Sequence, residues 1–334
     1  MPTPRQIGAA RARQQMYAAL RSYFGAEGFL EVDTPLMVPA PGMEPHINAC
    51  EVPFIPETEV GTRRTLYLHT SPEYAMKRLL ADGVGACFQI CKVFRNGEIS
   101  PTHNPEFTLL EFYRPDADYH AIMDDLEGAL AAVQQALRVE GPFDRRPFER
   151  LTVREAVLRE TDIDIARHAD GPSLKRAAER IGVHTGGSVT FDDVFFHIFL
   201  ERVEHTLGHG RPTFLTEYPA SMASLARLKP GNPSVAERVE LYANGLELAN
   251  GYSELVDAAE QRARLVEEQG LRASMGRSVY PIDEAFLEAV GRMPPSAGIA
   301  VGLDRILMVL LGMQRIEDVL LFPAHGFFKE SRET

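Results

Sequence analysis

Four oxygen-bearing side chains lie within a short stretch of the chain: Glu240, Glu247, Asn250 and Glu254. They surround an Asn-Gly pair between two alternating apolar runs, the strongest short-range signal for a β-hairpin. A half-buried strand points alternate side chains to opposite faces, so this uneven spacing does not fit one solvated stripe. Two interpretations remain: a solvated sheet face with ordinary glutamates, or a concave acidic site. Such a site could hold Mg²⁺, a hard cation that takes oxygen ligands, or a cationic group of a substrate.

Two arginines near strand ends offer the complementary chemistry, the binding of anions. Arg95 ends an apolar strand and opens a long loop, where its planar fork of donors suits a phosphate oxygen. Arg305 lies where a short strand meets a helix, and the preceding Gly302 allows a ligand to approach the backbone. The alternative for each arginine is an ordinary surface ion pair. Phe107 could stack on a base or pack in the core, and His103 could donate to a phosphate or be an ordinary loop residue.

The elements that must position these side chains are strands with helices grouped around them. Segments 87–94 and 106–113 predict an antiparallel pair of strands, and the long loop between them, 96–105, is of a kind that is often functional. Ser71 is the predicted N-cap of a helix. The other predicted strands are 29–35, 66–69, 238–243, 246–250 and 299–303, and the predicted helices are 5–26, 72–80, 119–138, 257–269, 282–290 and 305–311. This pattern predicts an α+β fold on an antiparallel sheet.

Composition and charge narrow the class of protein. The chain has 334 residues with 35 Lys and Arg against 47 Asp and Glu, and this acidic balance argues against broad, non-specific nucleic-acid binding. The three cysteines, Cys50, Cys87 and Cys91, lack the partners of a zinc site and are expected to be reduced thiols. The chain has no apolar run of about 18 residues and no signal-peptide core, which predicts a cytoplasmic protein without a membrane span.

Five segments, in order along nearly the whole chain, resemble motifs of the class II aminoacyl-tRNA synthetases in their lysyl form. Residues 28–35 (GFLEVDTP) resemble the first, dimer-forming motif. Residues 94–96 (FRN), 103–108 (HNPEFT) and 111–113 (EFY) resemble the second motif, and residues 302–308 (GLDRILM) resemble the third. Residues 247–255 (ELANGYSEL) and 318–323 (DVLLFP) also resemble the lysyl type. One such motif would be weak, whereas five in order are highly specific.

The resemblance implies one class II synthetase-like catalytic domain over residues 1–334, an antiparallel sheet flanked by helices, with a helical insertion at about 140–212. It also implies a homodimer. Lysyl-tRNA synthetases carry an anticodon-binding domain before this region, whereas this sequence starts at the first catalytic helix. The resemblance is therefore greatest to the short lysyl-type paralogues that act on elongation factor P. These activate lysine or (R)-β-lysine with ATP and Mg²⁺ as an adenylate and transfer it to a lysine side chain of that factor. A tRNA is not the expected acceptor.

The resemblance also assigns roles to individual residues. The ATP-binding residues would be Arg95, Asn96, Gly97, Glu98, His103, Asn104, Phe107, Glu247, Leu248, Gly302 and Arg305. The amino-acid-binding residues would be Ser71, Pro72, Glu73, Tyr113, Asn250, Glu254 and Ala300. Glu240 and Glu247 would hold Mg²⁺, and Arg95 and Arg305 would be catalytic. Glu73 would take the amino group of the substrate, and Glu254 with Tyr113 would take its distal ammonium.

Three positions depart from the lysyl pattern. Gly97 replaces a Glu, Thr102 replaces a common Arg, and Ala300 replaces a Gly. The Ala300 methyl either favours a β-amino acid over α-lysine or is simply tolerated. Three alternative functions remain: a stand-alone enzyme that charges a tRNA, a non-catalytic synthetase paralogue, and an asparagine-type amide synthetase. An asparagine-type synthetase would need a cationic pocket for an acidic side chain, whereas this sequence has the acidic residue Glu254 there.

Overall fold

The computed structural model describes residues 1–58, 61–168 and 170–328. The strands are β1 Leu30–Glu31, β2 Met37–Val38, β3 Cys50–Phe54, β4 Arg64–Leu68, β5 Cys87–Phe94, β6 Glu106–Pro115, β7 Glu149–Thr152, β8 Thr213–Pro219, β9 Leu228–Lys229, β10 Asn232–Ala243, β11 Leu246–Ser253 and β12 Ser296–Gly302. The helices are α1 Pro4–Ala26, α2 Glu73–Ala81, α3 Tyr119–Leu137, α4 Val153–Thr161, α5 Gly171–Arg180, α6 Phe191–Ile198, α7 Ala258–Ser274, α8 Glu284–Val290 and α9 Leu303–Leu310.

The large sheet has the strand order β1-β5-β6-β12-β11-β10-β8-β7, with β9 paired to β10. Its central pairs are antiparallel, whereas β1 pairs with β5 and β7 pairs with β8 in parallel. Strands β2, β4 and β3 form a second, small sheet. The predicted α+β fold on an antiparallel sheet flanked by helices is therefore confirmed, and the two parallel edge pairs are an addition that the sequence did not predict.

One face of the large sheet is covered by helices and carries the main core. Helix α1 begins with a capping box at Thr3 and Gln6 and buries Phe24 against the sheet. Phe24 packs on Phe88 of β5 and Phe112 of β6, with ring centroids 5.1 and 4.8 Å apart. Helices α3 and α9 contribute to the same apolar cluster. The opposite face of the central strands is thus left for polar side chains.

Strand register places four of those polar-face residues in one row across the central strands. Glu240 of β10 pairs with Asn250 of β11, Asn250 pairs with Ala300 of β12, and Ala300 pairs with Glu111 of β6. Between β10 and β11 the register shifts, because Leu248 has no partner of its own in the ladder. Such a bulge changes which face the following side chains point to.

Most predicted elements are confirmed to within a few residues, with two corrections. The predicted strand 29–35 forms ladder pairs only at Leu30 and Glu31, although the Val32 N–H still donates to the Phe88 carbonyl of β5 at 2.9 Å. Helix α2 begins at Glu73, and its N-cap is Pro72, not Ser71. The Ser71 hydroxyl still accepts from the Glu73 N–H at 3.0 Å.

Residues 140–212 contain β7, α4, α5 and α6, followed by a π-helical segment, Phe199–Val203. Their helices share a second apolar cluster in which Val157, Leu174 and Phe195 pack with Leu215 of β8. Strand β7 joins the large sheet through β8. No helix of the described residues combines the length and apolar character that crossing a membrane requires.

Candidate active site

A cavity of about 370 Å³ opens on the polar face of the large sheet, beside the loop between β5 and β6. That size is within the usual range for a small-molecule site. It brings together residues that the sequence predicted from five separate segments: Arg95, Glu98, His103, Asn104, Phe107, Glu240, Glu247, Leu248, Asn250, Ala300, Gly302 and Arg305.

A smaller pocket adjoins this cavity. Its walls include the predicted Ser71, Glu73 and Tyr113 together with Arg95, Asn250 and Ala300, which line both spaces. The predicted ATP-binding and amino-acid-binding residues therefore meet at Arg95. Adenylate formation requires this arrangement, because a carboxylate and a phosphorus atom must be held next to each other.

The junction between the two spaces presents polar groups without internal partners. The Arg95 guanidinium lies 5.0 Å above the Phe107 ring, and its Nε is buried with no hydrogen-bond partner among the described residues. The nearest carboxylate oxygen, Glu98 Oε2, is 3.9 Å from the Arg95 guanidinium. Asn250 Oδ1 is likewise buried and unpaired in the described chain. Buried polar groups are rarely left unpaired, so these two favour a polar ligand at the junction.

Arg305 is oriented by three hydrogen bonds that its guanidinium donates. It donates to the Glu247 carbonyl at 2.7 Å and to the Thr102 carbonyl at 3.3 Å. It also donates to His103 Nε2 at 2.7 Å, so His103 Nδ1 carries the proton and donates to Ser100 Oγ at 2.7 Å. Burial, together with the neighbouring arginines, lowers the pKa of His103 to about 4. His103 is therefore neutral and orients Arg305, and in this arrangement it has no proton to offer a phosphate.

Asp304, the residue before Arg305, anchors the start of α9. Its carboxylate is buried, pairs with Arg13 of α1, and accepts from the Thr108 N–H at 2.7 Å. These contacts fix the junction of β12 and α9 against β6. These contacts of Asp304 were not predicted from the sequence.

Glu240, which is buried, and Glu247, which is half-buried, form a carboxylate pair. The bulge at Leu248 pairs Glu247 with Tyr242, so Glu247 lies on the same face as Glu240. Glu240 accepts from Tyr242 Oη at 2.7 Å and from Arg238 at 2.7 Å. Burial, reinforced by the charge of Glu240, raises the pKa of Glu247 to about 7. The solvated-face interpretation of these glutamates is therefore wrong.

A divalent cation fits this carboxylate pair. No described residue is recorded as donating a hydrogen bond to the Glu247 carboxylate, and a cation between the pair would remove their repulsion. Oxygen ligands of this kind suit Mg²⁺. The described residues contain no group of three or more His, Cys, Asp or Glu placed to hold a metal alone, so a bound ion here would need further ligands from substrate or water.

At the other end of the site, Glu73, Glu111, Glu254 and Lys77 form what we call the acidic pocket. Lys77 Nζ lies 2.5 Å from Glu73 Oε1 and 2.6 Å from Glu254 Oε2. Glu111 accepts from Ser71 Oγ at 2.8 Å and from Tyr113 Oη at 2.6 Å. Three carboxylates thus face one ammonium, which leaves an excess of negative charge.

This geometry adds internal partners to the predicted contacts, and the binding of a substrate ammonium by Glu254 stays a prediction. Glu254 was expected to work with Tyr113 on a substrate ammonium, but Tyr113 donates to Glu111, and Glu254 is paired with the chain's own Lys77. Glu254 Oε1 remains buried without a partner among the described residues. Lys77 itself was not predicted, although its place four residues after Glu73 in a helix is a signal for an ion pair.

The pKa values of the acidic pocket reflect its charge excess. Burial, reinforced by Glu73 and opposed by Lys77, raises the pKa of Glu254 to about 8. Burial and the charge of Glu73 raise the pKa of Glu111 to about 7. Burial alone would lower the pKa of Lys77, but Glu254 and Glu73 outweigh it and raise that pKa. Lys77 is therefore charged, and a second cation would favour ionisation of the remaining carboxylates.

Four predicted residues have roles in the structure other than offering polar side chains to the cavities. Asn96 donates its backbone N–H to the Asn48 carbonyl at 2.7 Å, and Gly97 has φ +87°, the conformation of a turn. The Asn104 side chain is used internally, since it donates to the Glu106 carbonyl and accepts from the Ala324 N–H. Pro72 caps α2.

Sequence reasoning also missed Glu111 and Arg238. Arg238 packs 4.6 Å from the Tyr218 ring and pairs with Glu240. Both missed residues lie two positions from a predicted site residue on the same strand, Glu111 before Tyr113 and Arg238 before Glu240. Side chains two apart share a face of a strand, so this spacing was the signal that could have found them.

Comparisons with known proteins agree with this geometry. A family model for tRNA synthetases of class II (D, K and N) matches residues 3–326. The chain is 40% identical over 314 residues to the elongation factor P–(R)-β-lysine ligase of Salmonella typhi, which covers 93% of each protein. It is 39% identical over 317 residues to the protein of the same name from Proteus mirabilis, 94% of each. The chain therefore belongs to the class II tRNA synthetase family.

Proposed function

We propose that this protein is an ATP-dependent ligase that activates a lysine-like amino acid as an adenylate and transfers it to a lysine side chain of elongation factor P. The observation that carries the proposal is the division of charge across one cavity. Arg95 Nε and Asn250 Oδ1, both buried without a hydrogen-bond partner among the described residues, lie at the junction. An acidic pocket with too few internal cations lies beside them. The relatives described above are named for this activity.

Charge balance in the acidic pocket selects the class of substrate. With Lys77 charged and Glu73, Glu111 and Glu254 ionised, the pocket has two more negative than positive charges. A lysine-like amino acid supplies two ammonium groups, which would satisfy both. Buried charges that lack partners are costly, so the ionised pocket binds such a dication better than a neutral or acidic amino acid. This argues against the asparagine-type alternative.

The chain's own residues provide positioning and electrostatic stabilisation. Arg95 and Asn250 hold the substrate carboxylate against the α-phosphate, and Arg95 stabilises the charge that develops on the phosphoryl oxygens. Phe107 and Arg305 offer surfaces on either side of the adenine. Glu240 and Glu247 would hold Mg²⁺, which supplies charge neutralisation on the triphosphate. Because an adenylate is already a good electrophile, the reaction needs no nucleophilic Ser or Cys.

The decisive experiment is intact-mass measurement of elongation factor P after incubation with the enzyme, ATP and each lysine isomer in turn. We expect a gain of one lysine residue, greatest with (R)-β-lysine, and no gain without ATP. Arg95→Ala is the matched inactive enzyme. Absence of any mass gain with active, folded enzyme, together with charging of a lysine tRNA, would establish the tRNA-charging alternative instead. Loss of ATP–pyrophosphate exchange altogether would point to a non-catalytic paralogue.

We further propose that the enzyme is a cytoplasmic homodimer. The segment that resembles the dimer-forming motif ends beside exposed apolar side chains, with Leu30 55%, Leu36 42% and Met37 40% accessible. Strand β1, which contains Leu30, is also the edge of the large sheet. An exposed apolar patch at a free sheet edge favours an interface. Light scattering should give a dimer at micromolar concentration, and Leu30→Asp should weaken it.

We also propose a domain organisation for the chain. We treat residues 1–334 as one catalytic domain in which residues 140–212 are an insertion. The separate apolar cluster of this region, which meets the sheet through β8, supports that division. A chain in which this region is replaced by a short linker should lose β7, α4, α5 and α6, and with them the part of the cavity wall that Phe195, Phe199 and Glu204 form. If the insertion is independent, circular dichroism and thermal unfolding should still show a cooperatively folded central sheet.

A further inference from the structure

The loop at residues 39–45 (PAPGMEP) brings one more carboxylate to the site. Glu44 lines the main cavity beside Arg95, and it also lines the smaller pocket that contains Glu73 and Glu111. It lies outside the motifs that the sequence analysis considered. Glu44 therefore lies where the two spaces meet, close to the place where the proposed function puts the carboxylate of the substrate.

Hydrogen bonds from both sides hold the backbone of the loop around Glu44. Arg272 of α7 is fully buried and donates to the Glu44 and Ile47 carbonyls, at 2.7 Å each. The Arg272 guanidinium also lies 4.2 Å from the Tyr280 ring. On the other side of the loop, the Met43 N–H donates to Tyr74 Oη at 3.4 Å. Supporting contacts of this kind are what a recognition residue on a loop needs to keep its geometry.

The Glu44 carboxylate itself is left available. No residue in the described ranges is recorded as hydrogen-bonding or ion-pairing with it, although its backbone is held firmly. Burial raises the pKa of Glu44, the charge of Arg95 opposes that shift, and the charge of Glu73 reinforces it. A carboxylate placed between an arginine and another carboxylate is stabilised when an ammonium group binds on the side of its acidic neighbour.

We propose that Glu44, together with Glu73, binds the amino group nearest to the substrate carboxylate and so selects for amino acids that carry one. This inference rests on the proposed function and deepens it. Arg95 holds the carboxylate end, so the nitrogen of an amino group on the α- or β-carbon lies only two or three bonds from the carboxylate carbon, on the side of Glu44. The distal ammonium lies further in, with Glu111 and Glu254.

The test compares three ligands on Glu44→Gln in ATP–pyrophosphate exchange. (R)-β-lysine and α-lysine have the near amino group, whereas 6-aminohexanoate has only the distal one and serves as substrate or competitive inhibitor. Loss of one charged hydrogen bond should raise KM for the two lysines roughly 10- to 100-fold. The KM for ATP and the apparent affinity for 6-aminohexanoate should stay at their wild-type values.

Two further variants make the result decisive. Glu51→Gln removes an exposed glutamate of β3 and should change nothing, whereas Glu44→Asp keeps the charge and should retain an intermediate affinity. Equal losses with all three ligands would show that Glu44 acts on packing and would overturn the inference, as would no loss with either lysine. If wild-type enzyme activates neither lysine, the proposed function fails first. If Glu44→Gln does not fold, the Glu44→Asp profile decides.

Discussion

Replacing Glu254 with Gln tests the acidic pocket at a buried carboxylate that is paired with Lys77. The substitution keeps the shape of the side chain and removes one charge. Glu254 Oε2 lies 2.6 Å from Lys77 Nζ, and both side chains are 1% exposed. Lys77 keeps a second partner in the variant, because Glu73 Oε1 is 2.5 Å from the same ammonium. The fold should therefore survive a change that alters the charge of the substrate pocket.

The magnitude follows from these contacts. Removing one partner of a buried charge pair costs about 3–5 kcal/mol when the other charge is left alone. Since Glu73 still compensates Lys77, the loss of folding stability should be smaller than this. The distal ammonium of the substrate keeps Glu111 as a carboxylate partner but loses one charged hydrogen bond, so binding should lose about 1.5–3 kcal/mol, which corresponds to roughly 10- to 10²-fold in affinity.

The assay is ATP–pyrophosphate exchange with separate titrations of amino acid and ATP. We expect KM for lysine or (R)-β-lysine to rise roughly 10- to 10²-fold, while KM for ATP stays near its wild-type value, because the phosphate residues lie at the other end of the site. Thermal unfolding checks that the variant is folded. An unchanged KM for the amino acid in a folded variant would refute the idea that excess negative charge selects the substrate.

Three further outcomes follow from the site. Arg95→Ala should reduce exchange by roughly 10²–10³, measured as kcat at saturating substrates. Ala300→Gly should improve kcat/KM for α-lysine, by an amount equivalent to about 1–3 kcal/mol, and leave (R)-β-lysine nearly unchanged; no gain with α-lysine would make Ala300 ordinary packing. Burial raises the pKa of Glu254 to about 8. Because an ammonium binds the ionised form of Glu254, KM for the amino acid should fall as pH rises from about 6 to 9. A KM that rises over that range would contradict the assignment.

Local signals in the sequence predicted much of the fold. The Asn-Gly turn between β10 and β11 forms as expected, with φ +54° at Asn244 and +72° at Gly245, because a tight hairpin turn requires left-handed conformations that these residues tolerate. Strands β5 and β6 were likewise predicted directly from the alternation of apolar and polar residues. Each of these elements depends on neighbours a few residues away.

Features that depend on distant segments could not be predicted in the same way. Lys77 is paired with Glu254 only because the fold brings α2 beside the residue that follows β11, far along the chain. Arg272 belongs to a helix with a charged sequence, and nothing nearby indicates that it is fully buried beneath the loop that contains Glu44. The bulge at Leu248 is equally hidden, because an apolar residue in a strand gives no sign that it lacks a cross-strand partner.

The strand register itself determines which chemistry meets at the site. Glu240, Asn250, Ala300 and Glu111 occupy neighbouring strands in one row, and three strand spacings of about 4.8 Å separate the first from the last by about 14 Å. The proposed metal site and the proposed sites for the carboxylate and the ammonium of the amino acid would be spread over a distance of this order. A slip of one residue in any of these strands would turn its polar side chain into the core face, where Phe112 and its neighbours pack. The apolar core that fixes the register is therefore also what holds the anion-binding and cation-binding ends of the site at the separation that the reaction needs.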